Sequence, residues 1–140
     1  MQSKHIDGTW LLRLDPGEEL LTELTGFCRR QGIECAHLSG IGAAGRLQVG
    51  VYLPARGCYQ SQTFEGDFEL TTLMGNITRK EGELFAHVHV NFAGSDLATH
   101  GGHVLQCVVS VTCEVVLRPL AASVQRTLDP ALGLHTLHLG

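Results

Sequence analysis

The chain has 140 residues, 44% of them hydrophobic and 17% charged, with 17 glycines and a formal net charge of −4. That length can bury one sizeable core, so residues 1–140 read as a single domain whose low charge leaves room for oligomer contacts. The acidic balance argues against broad attraction to nucleic-acid phosphates, the apolar runs are too short for a membrane span, and the N-terminus lacks the pattern of an export signal. Five cysteines, Cys28, Cys35, Cys58, Cys107 and Cys113, form an odd set with no Cys-x-x-Cys pair. This argues against a disulfide framework and a cysteine zinc site, and favours a reducing, cytoplasmic setting.

In chain order, Thr9-Trp10-Leu11-Leu12-Arg13-Leu14 reads as a first strand. Asp15-Pro16-Gly17-Glu18 follows as a helix start, with a carboxylate cap, proline in the first turn and glutamate at the third position. The helix extends to about Gln31. Leu20, Leu21, Leu24, Phe27 and Cys28 form one apolar stripe that must pack on a sheet, and Gly32 stops the helix. Segments 33–41, 46–53, 59–64, 68–77, 84–92 and 103–117 read as strands separated by Gly, Pro, Asn and Asp turns, so β-structure dominates.

Ser39-Gly40-Ile41-Gly42-Ala43-Ala44-Gly45 lacks the Gly-Lys-Ser/Thr ending of a phosphate loop and opens no helix, so it reads as a glycine-rich strand connection. Arg29-Arg30 and Arg79-Lys80 are isolated pairs without interleaved aromatics, and read as solvated patches. Cys107 and Cys113 share a strand face as small core groups. Beyond Pro119, a turn at Asp129-Pro130 and a short strand through Gly133-Leu134-His135-Thr136-Leu137 indicate a tail that docks rather than dangles.

The chemistry concentrates in His87-Val88-His89 and Gly101-Gly102-His103. Leu84-Phe85-Ala86-His87-Val88-His89-Val90 alternates as a half-buried strand does, so its two histidines share a face. Residues 91–102 are rich in turn formers, and an apolar, β-branched run begins at His103. If the two strands pair, His103 lies near the end of the first strand, within about 5 Å of a cross-strand neighbour. Gly101 and Gly102 would give the backbone clearance there. Three neutral imidazoles suit Zn²⁺ and leave a fourth position for water, a ligand atom or a group from another subunit. Nickel, copper and iron also accept imidazole.

The competing reading makes all three histidines ordinary strand residues, and convergence is what separates the two. His100 is either a fourth ligand or, as expected here, a solvated loop residue. Asp96, in a Gly-Ser-Asp turn, is expected to bond its own backbone rather than act as a base. His5, His37, His135 and His138 show no comparable grouping and read as structural or exposed.

The ordered motifs resemble the plants-and-prokaryotes-conserved (PPC) domain, found beside AT-hook motifs in plants and alone in prokaryotes. They are Leu12-Arg13-Leu14-Asp15-Pro16-Gly17-Glu18-Glu19-Leu20, Gly40-Ile41-Gly42-Ala43 and the stretch from Gly66-Asp67-Phe68 to Gly75-Asn76-Ile77. His87-Val88-His89, Gly101-Gly102-His103 and Val111-Thr112-Cys113-Glu114-Val115 complete the likeness, which covers nearly the whole chain. It implies an α/β (α+β) domain with a mainly antiparallel sheet, one principal helix packed on it, and a homotrimer. It also implies that His87, His89 and His103 are metal ligands, typically for zinc. Arg13 and Glu69 occupy motif positions as well, and read otherwise as a surface salt bridge and a sheet-edge carboxylate; Glu114 reads as structural.

Three functions follow as expectations. The first is a stand-alone metal-binding domain, homotrimeric, whose site, expected to hold zinc, is either structural or binds a small anionic or polar ligand at the open position. A DNA-binding or transcription-associated self-assembly module is the second, weakened because the chain has no Arg-Gly-Arg-Pro hook core for the minor groove. The third is a cupin-like metal-dependent enzyme, weakened because Val90-Asn91-Phe92-Ala93-Gly94 lacks the glutamate that follows a cupin His-x-His pair.

Overall fold

A computed structural model describes all residues, Met1–Gly140. Its elements are β1 (Gln2–Ile6), β2 (Thr9–Leu14), α1 (Leu20–Gln31), β3 (Ala36–Leu53), β4 (Cys58–Lys80), β5 (Glu83–Ala93), β6 (Thr99–Pro119), β7 (Gln125–Asp129) and β8 (Leu134–His138). The pairings are antiparallel except that β7 joins β4 in parallel. Because β3 pairs with β4 and β6, and β5 pairs with the same two strands, these four pairings close into a ring. The outcome is the expected mainly antiparallel α+β fold with one helix. No helix is long and apolar enough to cross a membrane.

The helix buries Leu20, Leu24, Phe27 and Cys28, and Gly32 ends it at φ 66°, a left-handed conformation that glycine adopts without strain. Its start differs from expectation. Glu19, not Asp15, is the cap, its carboxylate accepting from the backbone N–H groups of Leu21 and Thr22. The Asp15-Pro16-Gly17-Glu18 segment is instead drawn to β6: Gly17 N–H donates to Val109 O at 2.8 Å, and Val109 N–H donates to Glu18 O at 3.0 Å. Capping chemistry was present, but these sheet hydrogen bonds used the backbone groups that a helix start would need.

Segments 33–41 and 46–53 belong to one strand, β3, and the glycine-rich run between them is strand rather than connection. Register shifts occur between Gly40 and Gly42 and between Ala44 and Arg46, bulges that bend the strand without ending it. A Cβ at Gly42 would lie 2.6 Å from Cys113 Cα, so β6 can come this close only against glycine. Segments 59–64 and 68–77 likewise fuse into β4. Two strands were not anticipated. β1 is exposed at every position and so carries no apolar alternation, and β7 is a five-residue strand.

The core is one cluster of 25 buried residues. In β5 the alternation is clean: Ala86, Val88, Val90 and Phe92 point inward, which turns His87 and His89 to the outer face. Cys107 and Cys113 are buried as expected, and desolvation pushes their thiols up to about 12 and about 11. All five cysteines are free.

Gly75 of β4 fixes how closely β5 approaches. It pairs with Val88, between the partners of His87 and His89, and a Cβ there would collide with His87 O and lie 2.9 Å from Val88 Cα. Gly75→Ala therefore forces backbone apart under the histidines. The expected loss is about 1–3 kcal/mol, the usual cost of overpacking a tight interior, measured by urea denaturation.

Candidate metal centre

His87 and His89 lie two residues apart on β5, on one face. In the β5–β6 ladder His89 stands directly opposite His103, and on its other side His103 pairs with Gly50 of β3. The glycines before His103 provide the clearance expected of them: a Cβ at Gly101 would collide with Asn91 Oδ1, and one at Gly102 would lie 2.9 Å from Gly50 O. Ring centroids are 5.1 Å apart for His87 and His89, 5.0 Å for His87 and His103, and 5.5 Å for His89 and His103. One nitrogen from each ring lies within 4.8 Å of the others. Nitrogens bound tetrahedrally at about 2.0–2.1 Å from zinc stand roughly 3.4 Å apart, so small side-chain rotations suffice to close the set.

The chemistry of these donors fits a metal. Burial, then the Arg126 guanidinium, then the neighbouring histidines hold His87 down to about 4. Burial, His89 and Arg126 also lower His103. Both rings are therefore neutral at ordinary pH, the form that coordinates a cation. His103 Nδ1 is buried and has no hydrogen-bond partner within the protein.

Arg126, from the tail strand β7, was not anticipated. Only 7% exposed, it donates from Nε to Thr78 Oγ1 at 2.9 Å, from Nη2 to Asn76 Oδ1 at 2.9 Å, and from Nη2 to His87 Nδ1 at 3.0 Å. A guanidinium only donates, so Nδ1 of His87 offers its lone pair in this arrangement. Nothing in Val124-Gln125-Arg126-Thr127 distinguishes this arginine from a solvated one. The β7–β8 hairpin also walls a cavity of about 780 Å³ into which His87, His103, Arg126, Tyr59 and Lys80 face. Its lining includes no carboxylate.

The remaining sequence candidates lie elsewhere. His100 is a strand residue rather than a loop residue: it is the second residue of β6, opposite Phe92, its ring 5.0 Å from Phe64 and 5.7 Å from Phe92. It stands outside the histidine group because the aromatic cluster on its own stretch of strand holds it. Asp96 accepts from Ala98 N–H at 3.0 Å, as a turn former does. Arg13 pairs with Asp15 at 2.9 Å. Glu69 is not at a sheet edge; it is flanked by Ala43 of β3 and Ala93 of β5, with its side chain on an exposed face. His135, expected to be structural or exposed, lines the cavity and sits 3.4 Å from Glu81.

Comparison with known proteins gives a consistent picture. A family model for the Plants and Prokaryotes Conserved (PCC) domain matches residues 1–121. A metal-containing protein from Archaeoglobus fulgidus is 32% identical, with a TM-score of 0.89 over 96% of each chain. A candidate DNA-binding protein from Bacteroides thetaiotaomicron is 28% identical, with a TM-score of 0.94 over 98% of this chain and 96% of that one. Among curated proteins, the Bifunctional protein GlmU of a Synechococcus strain is 30% identical over 131 residues, which are 91% of this chain and 20% of that protein. The chain thus spans about a fifth of its curated relative's length.

The buried histidines set a pH dependence. A histidine ionises near 6.5 when unfolded, and His87 does so only near 4 in the fold. Between those values the unfolded chain binds the extra proton, so the metal-free protein loses stability as pH falls from 6.5 toward 4. His103 acts in the same direction. Urea midpoints followed across this window measure the slope, and His87→Gln is expected to flatten it.

Proposed function

The chain belongs to the Plants and Prokaryotes Conserved domain family, and from that premise we propose that it is a homotrimeric metal-binding protein whose His87, His89 and His103 hold zinc. The observation that carries this reading is the convergence of three imidazole nitrogens within 4.8 Å. The metal-containing Archaeoglobus relative supports it. Three nitrogen donors leave a zinc ion one open position, and the adjoining cavity has room for a small molecule there. No carboxylate lines that cavity, so neither an acidic general base of a metal-dependent hydrolase nor the glutamate of a cupin-like enzyme has a counterpart in it. Binding is therefore the function it supports best.

The trimer is what the family resemblance implies, and an exposed apolar face supports self-association. Leu11 of β2 pairs with Val116 of β6, Val116 with Ser39 of β3, and Ser39 with Met74 of β4. Met74 in turn pairs with His89. Leu11, Ile41, Met74 and Val116 are all exposed, and a contiguous apolar surface of this kind marks an association site. Association through it would cover the open side of His89.

The Bacteroides relative's name favours a second reading, a DNA-associated module. The charge balance does not strengthen it: the net charge is −4, and Arg13, Arg29, Arg46 and Arg79, four of the ten Lys and Arg side chains, are in ion pairs with carboxylates.

Metal analysis of the purified protein tests the first reading. One equivalent of zinc per chain is expected, and His89→Ala should weaken retention by more than the 10–100-fold typical of losing an outer-shell partner. His89 is exposed, so the substitution leaves the core intact. Unchanged stoichiometric metal in that variant would remove the assignment. For assembly, Met74→Glu is expected to convert the trimer to monomer in light scattering, because it places charge in the middle of the apolar row.

A further inference from the structure

We propose that the cavity beside the three histidines binds a small organic carboxylate, with Arg126 as its principal counter-charge, Lys80 in support, and the metal as the second anchor. The inference rests on the metal reading above and adds the chemistry of the ligand.

Charge distribution is the first argument. In a chain with a net charge of −4, this cavity is lined by Arg126 and Lys80 and by no carboxylate. Glu81, beside it, faces His135. Arg126 is almost fully buried, and every partner it has is neutral: Thr78 Oγ1, Asn76 Oδ1, His87 Nδ1 and, at 3.4 Å, the His135 carbonyl. A buried cation without a counter-ion is an expensive arrangement in a folded protein. A divalent ion beside it would add charge of the same sign.

Hydrogen-bond accounting is the second argument, and it couples the anion to the metal. Arg126 donates to His87 Nδ1, which requires a lone pair on that atom. When a neutral imidazole coordinates a metal, one nitrogen binds the ion and the other carries the proton. His87 Nδ1 is then either metal-bound or an N–H, and in neither state does it accept from Arg126. Metal loading thus leaves a buried guanidinium N–H without its acceptor. A carboxylate restores the balance: one oxygen accepts from Arg126, and its charge offsets both cations.

The rest of the lining fits the remainder of such a molecule. Tyr59, Asn76 and Thr136 offer polar contacts, while Phe85, Leu105 and Leu137 offer apolar wall for a carbon skeleton. A volume of about 780 Å³ suits a small organic ligand.

Calorimetry on zinc-loaded protein tests the proposal with three probes: lactate, its neutral isostere lactamide, and inorganic phosphate. Lactate is expected to bind at least about tenfold more tightly than lactamide or phosphate. Arg126→Met should lower lactate affinity about tenfold or more while zinc stoichiometry is kept, with Lys80→Met showing a smaller effect. Zinc affinity, read with a competing chelator, should rise when lactate is present in the wild type and rise less at the same lactate concentration in Arg126→Met, by linkage. Equal binding of lactate and lactamide, undiminished lactate binding in Arg126→Met, phosphate binding as tightly as lactate, or independence of zinc and lactate would each overturn the inference. The lactamide comparison uses wild-type protein, so it decides the matter even if a variant fails to fold. A wild-type protein that takes up no zinc fails in the metal assay before lactate is added and overturns the metal reading itself; a zinc-loaded protein indifferent to lactate overturns the ligand inference alone.

Discussion

The register of β5 against β6, with His89 opposite His103, is the constraint on which the rest of the site depends. Side chains alternate across a strand, so a slip of one residue would turn His87 and His89 into the core and expel Val88 and Val90. Burial of Ala86, Val88, Val90 and Phe92 makes that slip prohibitive. Glycines then set the distance. Gly75 lets β4 approach β5, and Gly101 and Gly102 let β6 approach β5 and β3. Three side chains converge because backbones that would otherwise be held apart can touch.

Those determinants are local, which is why the histidine group was legible from residue order. A strand period of two placed His87 and His89 together, and a turn-rich stretch with two glycines returned the chain to His103. The apolar stripe and glycine stop of α1 were legible for the same reason. The helix start was not, since Asp15, Pro16 and Glu18 make a credible cap until β6 draws the backbone of Gly17 and Glu18 into its ladder. The glycine run of β3 misled in a similar way. Glycine signals a turn locally, whereas at Gly40 and Gly42 it answers a neighbour in β6 more than 70 residues away in sequence.

Arg126 marks the limit of residue-order reasoning most clearly. Its significance comes from a parallel pairing of Lys80 with Arg126, between β4 and β7, which no periodicity announces. That pairing brings a tail residue from beyond the family match at 1–121 against a histidine of the shared fold. The histidine ladder lies within the family match, whereas the cavity wall draws on both parts, with Tyr59, Lys80 and Phe85 from the shared fold and Arg126, His135 and Leu137 from the tail.

The contact of Arg126 with His87 shapes the metal-free state. Three histidines converging with nothing between them would tend to rotate away toward water, because their lone pairs have no partner in the fold. Arg126 counters this at His87: its donor-only fork accepts one arrangement of that ring, and Thr78 and Asn76 hold the guanidinium from the other side. The ring is thus held in the metal-free cluster in an arrangement that a metal-coordinated His87 could not keep, since it would have no Nδ1 lone pair to offer Arg126. The same contact opposes the ion electrostatically, since the guanidinium charge is already in place. Hydrogen bonding and charge at Arg126 would therefore both resist a cation held by His87, and the partner that would offset both, on the reading proposed above, is an anion.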